Sequence, residues 1–223
     1  MDLKENTNQV FQQVTKAIQE AGREDGSVSV IAVTKYVDIA TAANLIGQGV
    51  QHIGENRVDK FLEKYHALSD KDVTWHLIGS LQRRKVKDII PYVDYFHALD
   101  SLKLAQEIQK RANRKVKCFL QVNISGEESK HGFSKEELLA VLPDLSSLDQ
   151  TEYVGLMTMA PLEAETEELQ KIFKETQELQ QYIRKQQLPN MPMTELSMGM
   201  SRDYKEAIQC GSTYVRIGTA FFK

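Results

Sequence analysis

Only two cysteines occur in 223 residues, Cys118 inside an apolar run and Cys210 beside Gly211. Neither stands at a CxxC or metal-ligand spacing, which excludes a disulfide scaffold and argues against thiol redox chemistry or a cysteine-held metal. The histidines, His52, His66, His76, His97 and His131, are also not at metal-ligand spacings and read as core or surface residues. There is no Walker GxxxxGK(S/T), no GxGxxG after a strand and no HExxH, and the isolated Gly47-x-Gly49 reads as a helix-end turn. No apolar stretch is long enough to span a bilayer. The segment Met1 to Gly22 is polar, with Val10, Phe11, Val14, Ile18 and Ala21 at helical spacing, and it lacks the apolar core of a signal peptide, so a cytoplasmic protein is expected. With 28 Lys and Arg against 31 Asp and Glu the net charge is -3, which leaves no global basic field to attract nucleic acid. The local cluster Arg83-Arg84-Lys85-x-Lys87 reads as a solvated helix face. No repeat, low-complexity tract or Pro/Gly-rich linker divides the chain, and one domain over residues 1–223 is expected.

What the chain does contain is a recurrence of apolar runs of strand length, each followed by a helical pattern. The runs are Val28 to Val33, Gln51 to Gly54, Val73 to Gly79, Tyr95 to Leu99, Val116 to Ile124, Tyr153 to Met159, Thr194 to Met198 and Tyr214 to Gly218. Alternation of this kind calls for parallel strands joined by right-handed crossovers, and a count near eight favours closure into a (β/α)8 TIM barrel, with the N-terminal helix as an addition. A doubly wound open sheet is the fallback. Helical stripes support the reading: Leu169, Ile172, Phe173, Thr176, Gln180 and Ile183 share one face of the segment Glu163 to Gln187, Leu102, Ala105, Ile108 and Ala112 mark another helix, and Leu138, Leu139 and Leu142 a third.

In a parallel barrel the strand C-termini share one face, and sites are built there. Lys35 ends the first strand, Glu55-Asn56-Arg57 follows the second, His76 lies in the third, Met157 in the sixth, Ser201 follows the seventh and Arg216 lies in the eighth. Closure brings the first and eighth strands together, so Lys35 and Arg216 meet across a seam. There, burial and a neighbouring cation favour a neutral amine able to condense with an aldehyde, although Lys35 taken alone reads more simply as a strand-end lysine that reaches into water. The turns Ser197-Met198-Gly199-Met200-Ser201 and Gly218-Thr219 are rich in small residues and offer backbone N–H groups and hydroxyls to an oxyanion, although Ser201 could instead be a helix N-cap. Arg216 could likewise be a strand residue paired with a carboxylate. An aldehyde-reactive lysine, a cation facing a ring and a phosphate cup together describe pyridoxal 5'-phosphate.

Five segments also match a known pattern: Ile31-Ala32-Val33-Thr34-Lys35, His52-Ile53-Gly54-Glu55-Asn56-Arg57, Trp75-His76-Leu77-Ile78-Gly79-Ser80-Leu81-Gln82, Gly155-Leu156-Met157-Thr158-Met159-Ala160-Pro161 and Leu196-Ser197-Met198-Gly199-Met200-Ser201-x-Asp203. In this order they resemble the signatures of the YggS/PROSC family of pyridoxal phosphate homeostasis proteins, over nearly the whole chain. The resemblance implies a single-domain barrel like the N-terminal domain of alanine racemase, with the cofactor as an internal aldimine on Lys35. It further implies Arg216 facing the pyridine nitrogen, Ser201, Gly218 and Thr219 on the phosphate, and Asn56, His76 and Met157 lining the mouth. Two departures stand out: Tyr36-Val37-Asp38 in place of a polar, proline-containing turn, and Arg84 where asparagine is usual.

The expected role is that of a buffer or carrier in pyridoxal phosphate and amino acid homeostasis. Its ligands would be this and other B6 vitamers, and its recipients pyridoxal phosphate-dependent apo-enzymes. A low-activity racemase is the alternative; it would need an acid or base opposite Lys35. Alanine racemase takes a tyrosine there from a second domain of a partner subunit, which this chain, ending at Lys223, is expected to lack. Monomer is therefore the expected state. Tyr36 and Tyr204 are the candidate substitutes. A module binding RNA or protein through Arg83 to Lys87 is a third reading.

Overall fold

In the computed structural model, which describes residues 2–127 and 131–222, strands and helices alternate along the chain. Met1 and Lys223, the ends of the expected domain, lie outside the described residues. In chain order the elements are α1 (Leu3–Glu20), β1 (Ser29–Val33), α2 (Ile39–Gly47), β2 (His52–Glu55), α3 (Val58–Ala67), β3 (Thr74–Leu77), α4 (Val86–Ile89), β4 (Tyr95–Leu99), α5 (Leu102–Arg111), β5 (Val116–Gln121), α6 (Lys135–Ser146), β6 (Thr151–Met157), α7 (Thr166–Lys185), β7 (Glu195–Met200), α8 (Tyr204–Gln209) and β8 (Tyr214–Ile217).

The eight strands are parallel and pair in sequence order, and β8 pairs with β1 to close the barrel, with Ile31 opposite Arg216. The open-sheet fallback is thereby set aside. Each strand is apolar because both of its faces are covered, by the barrel interior on one side and by helices on the other. Ile31, Ile53, Leu77, Phe96, Phe119, Leu156, Met198 and Val215 are all inaccessible to solvent. At about 25 cal/mol per Å2 each such side chain contributes roughly 1.5–3 kcal/mol relative to exposure.

The helices present the faces their spacing predicts. α7 buries Leu169, Ile172, Phe173, Thr176, Leu179, Gln180 and Ile183. Gln180 belongs on that face because its Nε2 donates to the Met193 carbonyl, so the amide is not left unpaired in the core. α1 lies outside the repeating unit and packs on the last turn of the chain: Phe11 meets Phe221 edge-on, with centroids 6.5 Å apart, and Asn6 Nδ2 donates to the Phe221 carbonyl at 3.0 Å. β6 and β7 approach so closely that a Cβ on Gly155 would fall 1.7 Å from the Glu195 carbonyl oxygen, which only glycine permits.

α6 opens with a capping box. The Glu137 N–H donates to Ser134 Oγ at 3.1 Å, and Glu137 Oε2 accepts from the Ser134 N–H at 2.8 Å. Ser134→Ala is expected to lower stability by about 1 kcal/mol, read as a shifted urea midpoint at unchanged m-value.

Candidate functional site

β1 ends at Val33, and Thr34 is buried beneath the turn that carries half-buried Lys35. Asp38 stops that turn by capping α2, its carboxylate accepting from the Thr41 N–H at 2.8 Å. Lys35 Nζ lies 4.8 Å from the centroid of the Tyr36 ring, which itself stands 85% exposed at the rim.

Two interactions anchor the lysine turn from below. Lys64 of α3, buried, donates from Nζ to the Thr34 carbonyl at 2.8 Å and to Glu55 Oε1 at 2.5 Å. Glu55 Oε1 also accepts from Thr34 Oγ1 at 2.5 Å, while its Oε2 has no partner among the described residues. Sequence reasoning passed over this pair. Lys64 shares the buried face of α3 with Phe61, a position from which a lysine ordinarily extends to water, and only the barrel brings β2 and α3 under the end of β1.

Arg216 is almost wholly buried in β8, opposite Ile31 on one side and Met200 on the other. Its Nη1 donates to Ser197 Oγ at 2.5 Å and its Nη2 to the Thr158 carbonyl at 3.0 Å. The alternative of a carboxylate-paired strand residue does not hold: among the described residues no carboxylate lies within ion-pair distance of it. Burial pushes its pKa down to about 10, with Asp203 acting weakly in the opposite direction, so the guanidinium stays charged at neutral pH.

The loops after β7 and β8 are tied to each other, Ser201 Oγ accepting from the Gly218 N–H at 3.3 Å. Gly199 adopts φ +94°, and a Cβ there would lie 2.7 Å from the Ala207 Cβ and 2.9 Å from the Tyr204 Cα, so the loop turns tightly onto α8 only because this residue is glycine. The N-cap of α8 is Asp203, not Ser201, and its carboxylate accepts from the Met200 N–H at 2.6 Å. The Ser201 hydroxyl is thus not used as a helix cap.

A cavity of about 890 Å3 opens at the strand C-termini, lined among others by Lys35, Asn56, Ser201, Arg216, Gly218 and Thr219. These six of the eight expected site residues come together. His76 and Met157 do not line it: both are buried in the barrel interior, and the residues two further along their chains, Ile78 and Met159, take the places at the mouth. The expectation for them is one same-face step too deep, since alternate residues on a strand share a face. Gln121 and His131 also line the cavity and carried no sequence signal beyond a polar residue at a strand end or loop, and Asp203, the last residue of the fifth matched segment, lines it too. Tyr204 is absent from the lining; its hydroxyl donates to Gln13 Oε1 of α1 at 3.2 Å. In the departing turn Tyr36 becomes part of the rim, whereas Arg84 is exposed and donates to Gln82 Oε1 at 3.0 Å.

A primary amine, a buried unpaired guanidinium, free hydroxyls and a close-packed glycine loop on one cavity suit an anionic aromatic aldehyde. The donor set fits pyridoxal 5'-phosphate. Among the described residues no helix is long and apolar enough to cross a membrane, and no group of His, Cys, Asp and Glu could hold a metal ion.

Residues 7–223 match the alanine racemase N-terminal domain family. The pyridoxal phosphate homeostasis protein of Aquifex aeolicus is 37% identical over 225 residues, covering 100% of this chain and 98% of that one. The structure of PipY from Synechococcus elongatus, with pyridoxal phosphate bound, is 34% identical and superposes with a TM-score of 0.88 over 100% of both chains. An alanine racemase from Clostridium difficile shares the barrel, with a TM-score of 0.74 at 16% identity over 95% of this chain and 56% of its own, which speaks for the fold alone. Matched end to end at these identities, the chain belongs to the pyridoxal phosphate homeostasis proteins, a family built on the alanine racemase N-terminal fold.

Proposed function

We propose that this protein binds pyridoxal 5'-phosphate in the barrel-mouth cavity and holds it for buffering or delivery, acting as a monomeric cytoplasmic domain over residues 1–223. The observation that carries the reading is the convergence of Lys35, Arg216, Ser201, Gly218 and Thr219 on one cavity. Lys35 would supply the amine for the aldehyde, Ser201, Thr219 and the Gly218 backbone would hold the phosphate, Arg216 would face the ring nitrogen, and Asn56 would line the mouth. The bound form of a relative, PipY, supports the ligand, and two unbridged thiols suit a reducing compartment. Other B6 vitamers with the same phosphate, and apo-enzymes as recipients, follow from a holding role.

When bound, the cofactor supplies an electrophilic carbon and a ring able to withdraw electrons. Arg216 only donates, so it disfavours a proton on any nitrogen it faces, and a ring kept unprotonated withdraws electrons weakly. Proton transfer from a second face is poorly served too. Tyr36 points to solvent, and the Asp203 carboxylate is engaged by the Met200 N–H. A carrier therefore fits better than a racemase.

The test is a visible spectrum of the protein saturated with pyridoxal phosphate, before and after borohydride, followed by peptide mass mapping. The expected result is a coloured protein reduced on the Lys35 peptide, with Lys35→Ala colourless. A preparation that stays colourless, or label on another lysine, ends the reading. Incubation with single amino acid enantiomers in deuterated water separates carrier from racemase: rapid solvent label at Cα that Lys35→Ala abolishes makes it an enzyme.

A further inference from the structure

Behind Arg216 the barrel interior holds polar side chains where branched apolar ones are usual. Ser197 Oγ, which accepts from Arg216, lies 2.8 Å from His97 Nδ1. His97 Nε2 lies 2.8 Å from His76 Nδ1, and His76 Nε2 lies 3.0 Å from His52 Nδ1. One continuous series of hydrogen bonds therefore crosses from β8 through β7, β4 and β3 to β2. Ser197, His97 and His76 are inaccessible to solvent, His52 is partly exposed, and none of the four lines the cavity.

The direction of every proton in this series is set at one end. A guanidinium can only donate, so Arg216 takes a lone pair of Ser197 Oγ. If His97 also donated to that oxygen, the Ser197 hydroxyl proton would be buried without an acceptor, since Arg216 and His97 are its only hydrogen-bond neighbours among the described residues. The hydroxyl must therefore donate to His97 Nδ1. That places the His97 proton on Nε2, directed at His76 Nδ1, and the same step repeats at His52. An imidazolium at His76 or His97 would set donor against donor. Burial lowers the pKa of both rings well below the ordinary histidine value, with neighbouring imidazoles and, for His97, Arg216 adding to it.

We infer that Ser197, His97, His76 and His52 are positioning residues, a one-way hydrogen-bond chain of three neutral imidazoles that holds Arg216 in the cavity without neutralising it. A carboxylate in the place of Ser197 would hold the guanidinium as firmly but cancel its charge. A hydroxyl polarised by its own donation to His97 becomes a better acceptor while the positive charge stays directed at the ligand. The site is thereby tuned for an acceptor atom opposite Arg216. This rests on the proposed ligand only for what Arg216 faces.

The test is a long-range 15N–1H correlation spectrum of the histidine-labelled full chain, with and without pyridoxal phosphate. His52, His76 and His97 are expected as neutral rings protonated at Nε2 in both samples. An Nδ1–H tautomer or an imidazolium at His76 or His97 near neutral pH overturns the chain. In a second arm, Ser197→Ala is expected to weaken pyridoxal phosphate binding about ten-fold, the effect of losing one hydrogen bond to a charged group, and to alter the His97 signature while borohydride still traps Lys35. Unchanged affinity with an unchanged His97 signature overturns the positioning role. If Ser197→Ala does not fold, the spectrum of the unsubstituted protein decides alone. The predicted tautomers in a protein that fails to bind the vitamer would sink the ligand and leave the chain standing, and trapping on Lys35 with other tautomers would do the reverse.

Discussion

Lys64→Met is expected to destabilise the protein by about 3–5 kcal/mol, the range for removing one partner of a buried ion pair. The methionine fills the space of the stem and leaves the Glu55 carboxylate buried without its cation. That carboxylate gathers both of its donors on Oε1 and leaves Oε2 unpaired among the described residues, so little else can compensate the lost charge. The Thr34 carbonyl loses one of its two donors at the same time, keeping the Val37 N–H at 3.1 Å, and its peptide leads directly into Lys35. For a chain of this length the loss corresponds to a melting temperature lower by roughly 10 °C. Urea unfolding measures the free energy, and borohydride trapping on the surviving folded fraction measures the second effect, a slower reaction at Lys35. Adding Glu55→Leu to Lys64→Met should recover part of the stability by removing the orphaned charge. Recovery is expected to be incomplete, because the Thr34 carbonyl keeps only the Val37 N–H and not the lysine donor. A single-variant loss below about 1 kcal/mol, the value for an exposed pair, would mean that water reaches these groups in solution.

The contrast between Lys35 and Lys64 shows which parts of the site could be read in advance. Lys35 terminates a continuous apolar run, and it stands out from a solvated strand end only together with Arg216 and the small-residue turns at the other strand ends. Lys64 falls three residues after Phe61 and four before Leu68, on the buried face of α3, but a lysine there ordinarily extends to water, and what it meets instead depends on the crossing of α3 over two strand ends. The strands themselves were legible because burial on both faces makes them uninterrupted apolar segments. Their observed limits differ from the sequence runs by a few residues, mostly at C-terminal ends where the chain leaves the sheet for the cavity. Ser201 and Asp203 illustrate the reverse problem: either residue type can cap a helix, and which one does so depends on where the Gly199 turn places α8. His76 and Met157 fell in the correct strands at the wrong depth, since barrel tilt decides which of several same-face residues reaches the rim. The pairing of Ser197 with His97 and His76 had no local signal, although Ser197 and His76 stand in matched segments, because it spans 100 residues between β4 and β7 and 21 between β3 and β4.

Stability is expected to fall steeply as the solution is acidified from about pH 6.5 to about pH 5, and the buried imidazoles are the cause. His76 and His97 are held neutral in the folded barrel by loss of hydration, whereas in the unfolded chain each takes up a proton near its ordinary value. Below that value the unfolded state binds two more protons than the native state, so unfolding becomes more favourable as pH decreases. Each ring contributes about 1.4 kcal/mol per pH unit, or roughly 2.7 kcal/mol per unit for the two. Because each unfolded-state ring is only half protonated at the upper edge, the loss across the window reaches about 3 kcal/mol, a large share of the 5–15 kcal/mol typical of a folded domain. His52, whose pKa burial also lowers, acts in the same direction. Asp203 opposes it: burial raises its carboxyl pKa, so the native state takes up that proton first, in a window that opens above the ordinary carboxylate range and closes at it. Urea titrations at a series of pH values give the slope directly. A flat profile between about pH 6.5 and about pH 5 would mean that the imidazoles accept protons in the folded barrel, which the donor-only guanidinium at the head of the series does not allow.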